Sequence, residues 1–529
     1  MFPFSKTGKY FQHIIQALFY LLIFFIFLVN SFNSLDPDLG WHLKVGEEIF
    51  SSHAIPWAEN YNYTLEGRTW VDHEWLLNLV CYLIFVKFGY LTLNIFFALV
   101  ATLIIFLINA CFLKKYFADP AQSLLIIFFE TFGLSGLLAH FGVRMQEFSV
   151  LALLLLLILL EKYSAKRFDK ILFLVPLLFF AWANLHGGFM LGLFLYWLYF
   201  SFGLVSLWCK RFDFGSIRLA NYSNTELSKL FLSASASTLA VFLTPYHYKY
   251  FSFMREYANS YYMKTIVEWL PAWHDPINYY QQLFFIMFAT VLILLFINKK
   301  NAINGWHLLL SLILFGTAIK ARRNFPLFFI SVLPFLADSA SVSAEESRKK
   351  IKMFFFENNF LKIILIIFLT GAIVVVCLSG NMTNKPFADK KFCQEFPCSA
   401  LETIKRLPQD DLKIFNSYGW GGYLIWNWPE RKLFIDGRLP MLIVNGHSLL
   451  EEYYEFFKEG KAKEKIDYYG INLVLIQKFK SDNANWFEKS FLGRKDKEAP
   501  KNHLEDYLNG QSDWQLLFED GNAMVYYKK

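Results

Sequence analysis

Residues 13–38 read HIIQALFYLLIFFIFLVNSFNSLDPD. An apolar run from about Ile14 to Val29 gives way, within a few residues, to Asp36-Pro37-Asp38. Roughly 20 apolar residues in a helix span the hydrocarbon core of a bilayer. The stretch therefore predicts a membrane span that delivers two carboxylates to the water boundary. Lys6 and Lys9 precede the run and no small-residue cleavage site follows it, which predicts an uncleaved first span rather than a signal peptide.

Composition points the same way. Of the 529 residues, 55% are hydrophobic and 19% aromatic, a bias that excludes an ordinary soluble globular protein. Further spans are predicted at about 90–112, 121–141, 147–161, 171–186, 189–208, 229–246, 282–298, 303–320, 324–340 and 361–380, about eleven in all. Segment 74–88 carries Glu74, Asn78 and Lys87 and reads as an interfacial helix. With the N-terminus in the cytoplasm, the inner loops hold Lys114-Lys115, Lys162/Lys166/Arg167/Lys170, Lys210/Arg211/Arg218, Lys299-Lys300 and Arg348-Lys349-Lys350/Lys352. That is the positive-inside pattern, so the net charge of +7 reads as membrane orientation and not as nucleic-acid binding.

The predicted fold class is an α-helical polytopic membrane domain, residues 1–380 with a first outer loop at 33–89, followed by a small extracytoplasmic α/β domain at 381–529. In that tail, Lys413–Phe415, Lys432–Ile435 and Leu473–Ile476 read as buried strands. Residues 449–470 have helical spacing, and Trp514–Tyr527 reads as a hairpin about Asp520-Gly521-Asn522. Cys393 and Cys398 admit a disulfide or two free thiols, while Cys81, Cys111, Cys209 and Cys377 read as packing residues. The predicted location is the cytoplasmic (inner) membrane of a prokaryote, crossed many times.

The ionisable residues of the spans gather at their outer ends, as an enzyme working at that face requires and a pore does not. The first outer loop contributes Asp36, Asp38, His42 and Asp72-His73-Glu74. Such carboxylates suit a general base or a divalent metal held by oxygen ligands, and they equally suit helix caps. Arg144, with Gln146 two residues on, and Arg322-Arg323-Asn324 place positive charge at the outer edge, against the usual bias. Guanidinium forks there match phosphate oxygens; the alternative is snorkelling to headgroups. His186, before Gly187-Gly188, and Glu268-Trp269 complete the substrate-binding candidates. Glu130, deep in the third span, is the argument for a transporter.

Together these residues resemble the GT-C superfamily of membrane glycosyltransferases, which includes protein O-mannosyltransferases, the lipid A aminoarabinose transferase and the catalytic subunit of oligosaccharyltransferase. The resemblance rests on Asp36-Pro37-Asp38 beyond span one, Arg144-Met145-Gln146 after span three, and a tail after the last span. Tail motifs at Asn416–Tyr423 and Phe434–Arg438 are similar to those of bacterial proteins of this kind. The resemblance implies a polyprenyl-phosphate-linked sugar donor and a lipid, glycan or protein acceptor, with membrane lipids around them. Asp36 or Asp38 would be the general base, or a ligand of Mg or Mn in the oligosaccharyltransferase branch, with Glu74 a third catalytic acid. Arg322 and Arg323 would stabilise the departing polyprenyl phosphate. The tail lacks the Trp-Trp-Asp motif of oligosaccharyltransferases. Two other readings are a flippase or transporter of a lipid-linked saccharide and a non-catalytic envelope-assembly protein.

Overall fold

A computed structural model describes residues 6–33, 35–114, 120–166, 169–209, 217–258, 260–297, 303–339, 359–379, 386–388, 392–408, 411–484, 486–492 and 494–529. The basic residues Lys115, Arg167, Lys210, Arg211, Lys299, Lys300, Arg348, Lys349, Lys350 and Lys352, and the proposed domain boundary at 380–381, lie outside the described residues.

The chain is mostly helical. Up to residue 379 the main helices are α1 Lys6–Asn33, α2 Leu39–Ser52, α3 Trp75–Ile108, α4 Pro120–Leu137, α5 Gln146–Ser164, α6 Leu174–Leu185, α7 Phe189–Trp208 and α8 Asn224–Ala240. They continue as α9 Lys249–Ala258, α10 Tyr262–Thr265, α11 Tyr279–Ile297, α12 Gly305–Lys320, α13 Phe325–Ser339 and α14 Asn359–Ser379. Each segment expected to span contains one of these helices. Among the described residues, three helices are long and apolar enough to cross a membrane: His13–Asn33, Trp75–Leu113 and Phe189–Trp208. Large apolar side chains remain exposed along α7, α8 and α14, among them Phe194, Leu239 and Phe368. Water would penalise such faces and lipid does not. This is a membrane protein.

α3 bends at Gly89, whose φ of 84° and ψ of 175° only glycine adopts readily, and the bend divides 75–88 from 90–108. The first part packs Leu77, Asn78 and Cys81 inside the protein. Glu130 is buried in α4 against Asn109, where a π-helical turn extends α3.

Beyond residue 386 a four-stranded sheet has the order β3-β6-β8-β7, with β3 Ile414–Asn416, β6 Leu473–Gln477, β7 Trp514–Glu519 and β8 Ala523–Lys528. β1 Ile217–Arg218 pairs with β2 Ile303–Asn304, and β4 Ile443–Val444 with β5 His447–Ser448. β3 and β6 are parallel, and β8 joins both β6 and β7 antiparallel. Lys432–Ile435 departs from the expected strand in this sheet. Leu433 instead bridges Asn62 of the loop between α1 and α3, receiving the Tyr63 amide at 3.1 Å and giving its own to Tyr61 at 2.8 Å. Cys393 and Cys398 form a disulfide.

The expected gathering of ionisable groups at one end needs correction. α5 runs from Glu147 to Glu161, α12 runs from His307 towards Lys320, and α13 ends at Asp338, so His307, Glu161 and Asp338 meet at the opposite end. They line a cavity of about 340 Å³ with Tyr199, Arg218 and Trp306. That cavity is remote from the acidic loop motifs.

Candidate active site

The two acidic motifs of the loop between α1 and α3 are built alike. Asp36 Oδ1 accepts the Asp38 amide at 2.9 Å, and Asp72 Oδ1 accepts the Glu74 amide at 3.1 Å. Each first acid thereby folds the chain into an Asx turn. The second acids, Asp38 and Glu74, sit at the N-cap positions of α2 and α3 without making a side-chain cap bond. Capping therefore does not account for their carboxylates. Burial and the neighbouring Asp36 charge push Asp38 up to about 7. Burial and Asp72 push Glu74 up to about 8.

Four loops meet at Asp36. Arg144, in the turn between α4 and α5, places Nε 3.1 Å from Asp36 Oδ2 and Nη1 2.5 Å from Glu268 Oε1. The other Glu268 oxygen lies 3.7 Å from Arg323 Nη1, and the Arg323 guanidinium rests 5.0 Å from the Trp269 ring centroid. Burial works against ionising Glu268, but Arg144 and Arg323 overcome it and hold the carboxyl down at about 2. Asp36 and Arg323 are thus joined through Arg144 and Glu268.

Beside this network, Glu74 meets three histidines: His186 Nε2 at 3.2 Å, His73 Nε2 at 3.6 Å and His42 Nδ1 at 3.8 Å. The hydrogen bonds fix two protons. His186 Nδ1 accepts from Ser149 Oγ at 2.7 Å and the Gly188 amide at 3.0 Å, so its proton is on Nε2 and faces Glu74. Asn78 donates to Asp72 at 2.9 Å, so its Oδ1 accepts from His42 Nδ1 at 2.6 Å. Burial lowers His42 to about 3 and His73 to about 4. At neutral pH the cluster holds uncharged imidazoles around a largely protonated acid, a set of donors and acceptors suited to hydroxyl groups. No three His, Cys, Asp or Glu among the described residues are arranged as a metal site.

The tail supplies one wall. Asn416 receives the Phe434 amide at 3.0 Å and donates to the Ile435 carbonyl at 2.9 Å, which presents Asp436-Gly437-Arg438 to the first loop. Arg438 Nη2 bonds Asp436 Oδ2 at 2.6 Å and Glu59 Oε1 at 2.9 Å, and the guanidinium lies between Tyr61 and Trp70 at 4.3 and 4.6 Å. Asn62 also donates to Asp436 at 2.7 Å. Gly437 faces Asp38 directly: a Cβ there would stand 2.1 Å from Asp38 Oδ1. A Cβ on Gly422 would likewise stand 2.3 Å from the Pro37 carbonyl oxygen.

A prediction follows from that contact. Gly437→Ala should shift Asp38 and lower turnover by roughly 100-fold, the scale of a 1 Å misplacement, with the protein still folded. Gly419→Ala, which meets nothing within 4 Å, should keep wild-type turnover. Equal rates in the two variants would show that the tail does not set Asp38.

Not every candidate joins the site. Arg322 is a correction: it turns away from Arg323 and donates to the carbonyls of Pro276 at 2.5 Å and His274 at 2.6 Å, bracing that loop. Asn324 bonds back to Thr317 of α12 at 3.2 Å. Gln146 donates to the His140 carbonyl at 2.8 Å, so its amide supports the turn that carries Arg144. Glu59, Asp436, Arg438 and Gly437 were not among the candidates. Asp436, Gly437 and Arg438 fall in the Phe434–Arg438 motif of the resemblance, and Glu59 had no sequence signal of its own.

The fold has a counterpart among solved structures. Archaeal oligosaccharyltransferase AglB from Archaeoglobus fulgidus, in complex with an inhibitory peptide and a dolichol-phosphate, matches with a TM-score of 0.50. Identity is 13%, over 89% of this chain and 70% of that one. The chain shares its fold with that oligosaccharyltransferase. The apo form of the oligosaccharyltransferase from the same organism matches with a TM-score of 0.49 and 12% identity, over 87% of this chain and 69% of that one. No family model and no curated protein matches the chain.

Proposed function

We propose that this GT-C-fold protein is a glycosyltransferase that moves a sugar from a polyprenyl-phosphate carrier to an acceptor on the outer face of the cytoplasmic membrane. The observation that carries this reading is the convergence of Asp36, Arg144, Glu268 and Arg323 from four loops. The acceptor nucleophile attacks the anomeric carbon and gives its proton to Asp38. The bond from that carbon to the phosphate oxygen breaks, and its electron pair leaves with the polyprenyl phosphate. Arg323, 3.7 Å from Glu268, meets the developing phosphate charge. The Glu74–histidine cluster binds sugar hydroxyls. The dolichol-phosphate and peptide bound to AglB support a lipid-phosphate donor and put a peptide among the acceptors.

In the same proposal the chain has about eleven spans. A membrane domain of residues 1–380 is followed by an extracytoplasmic α/β domain of 381–529, in which the Cys393–Cys398 disulfide fits an oxidising compartment.

The test is transfer by purified full-length protein from radiolabelled polyprenyl-phosphate sugars to extracted lipid, glycan and peptide acceptors. Labelled product released together with free polyprenyl phosphate supports the reading. The buried Glu130 favours a second reading, a transporter of lipid-linked saccharide. As an enzyme, the protein should keep its transfer rate in Glu130→Gln. No transfer from any donor, combined with saccharide movement across vesicles that Glu130→Gln stops, would establish the transporter instead.

A further inference from the structure

The oligosaccharyltransferase branch of this fold implies a divalent cation held by acidic side chains beside the first-loop motif. The residues present do not fit one. A hard divalent cation wants several oxygen ligands with surplus negative charge. Here the Asp36 oxygens are already committed, Oδ1 to the Asp38 amide at 2.9 Å and Oδ2 to Arg144 Nε at 3.1 Å. Both Glu268 oxygens face guanidiniums, Arg144 at 2.5 Å and Arg323 at 3.7 Å. Two carboxylates meet two permanent cations, so the network is neutral before any ion arrives. An incoming divalent ion would also sit within a few ångströms of a guanidinium that cannot lose its proton.

We propose that Arg144 takes the place of the divalent cation: its guanidinium bridges Asp36 and Glu268, and the site works without a metal. One side chain spans both carboxylates because Nε and Nη1 point to different partners, a geometry that a guanidinium has and an ammonium lacks. The bridge ties the first loop to the 267–269 turn and supplies fixed positive charge where a metal would supply it. The proposal rests on the glycosyl-transfer reading only for what that charge does.

Mn2+ binding measures the idea without turnover, so its failure and the failure of the transferase reading are separable. Free Mn2+ is counted by electron paramagnetic resonance as the ion is titrated into the purified full-length protein. The wild type should bind no stoichiometric Mn2+, and its transfer activity should survive EDTA. Arg144→Gln should expose Asp36 and Glu268 to each other and gain a Mn2+ site, which Arg144→Gln/Glu268→Gln should lose. A stoichiometric wild-type site that disappears in Asp36→Asn would overturn the proposal, as would a folded Arg144→Gln protein with no new site. Should Arg144→Gln fail to fold, the wild-type titration and the EDTA response still decide.

Discussion

Asp38→Asn is expected to lower sugar transfer by roughly 10²–10⁴-fold, the contribution of a positioned general base, while leaving the amount of protein in the membrane unchanged. The reason lies in the division of labour between the two first-loop acids. Asp36 spends one oxygen on the turn and the other on Arg144, whereas Asp38 stands at a helix start without capping it. A carboxyl raised to about 7 by burial and by the Asp36 charge is matched to accepting a proton at physiological pH. Its active form is the deprotonated one, so the wild-type rate should climb with pH through about 7 and then level off. Removing the Asp36 charge lowers Asp38, so whatever activity Asp36→Asn retains should show its acid limb at lower pH than wild type. Full activity in Asp38→Asn, or an acid limb that Asp36→Asn leaves in place, would remove Asp38 from this role.

Arg438→Ala should be the most damaging single change to the fold, costing about 3–5 kcal/mol, the usual consequence of stranding a buried charge. Arg438, Glu59 and Asp436 have no exposed side-chain surface. Deleting the guanidinium leaves two carboxylates facing each other, with the Asn62 side chain and the amides of Tyr61, Asn62 and residue 438 still donating to them. It also empties the space between Tyr61 and Trp70. The same group clips the tail to the first loop, so the Gly437 wall beside Asp38 should loosen with it. Lys432→Ala gives the comparison, because Lys432 and Glu66 form an ion pair between the same two segments at the exposed surface. Exposed pairs contribute little. Thermal unfolding in detergent should show a large fall in midpoint for Arg438→Ala and almost none for Lys432→Ala. Similar midpoints would mean that the buried triad does not hold the interface.

Much of this was legible in the sequence because bilayers read composition. The apolar runs placed helices at all eleven expected segments, and Asp36, Asp38, Arg144, Glu268 and Arg323 stood out as ionisable groups beside apolar stretches. Arg322 and Arg323 could not be told apart in that way. They are neighbours in the chain, and only the backbone around Leu270–Pro276 turns one towards carbonyls and the other towards Glu268. Lys432–Ile435 has the composition of a buried strand, yet its partner is a loop some 370 residues earlier, as the Thr64–Phe434 bond records. Arg438 was missed because tail charges ordinarily face water, and nothing local announces a partner at Glu59.

The sequence by itself determined that this is a helical membrane protein with acids and guanidiniums at span ends, since hydrocarbon admits long apolar helices and expels charge. Only the tertiary structure decided which charges pair, which acid is left uncommitted by its helix start, and that the tail packs against the first loop. Those outcomes depend on contacts between residues hundreds of positions apart, set by packing and burial, and no local pattern encodes them.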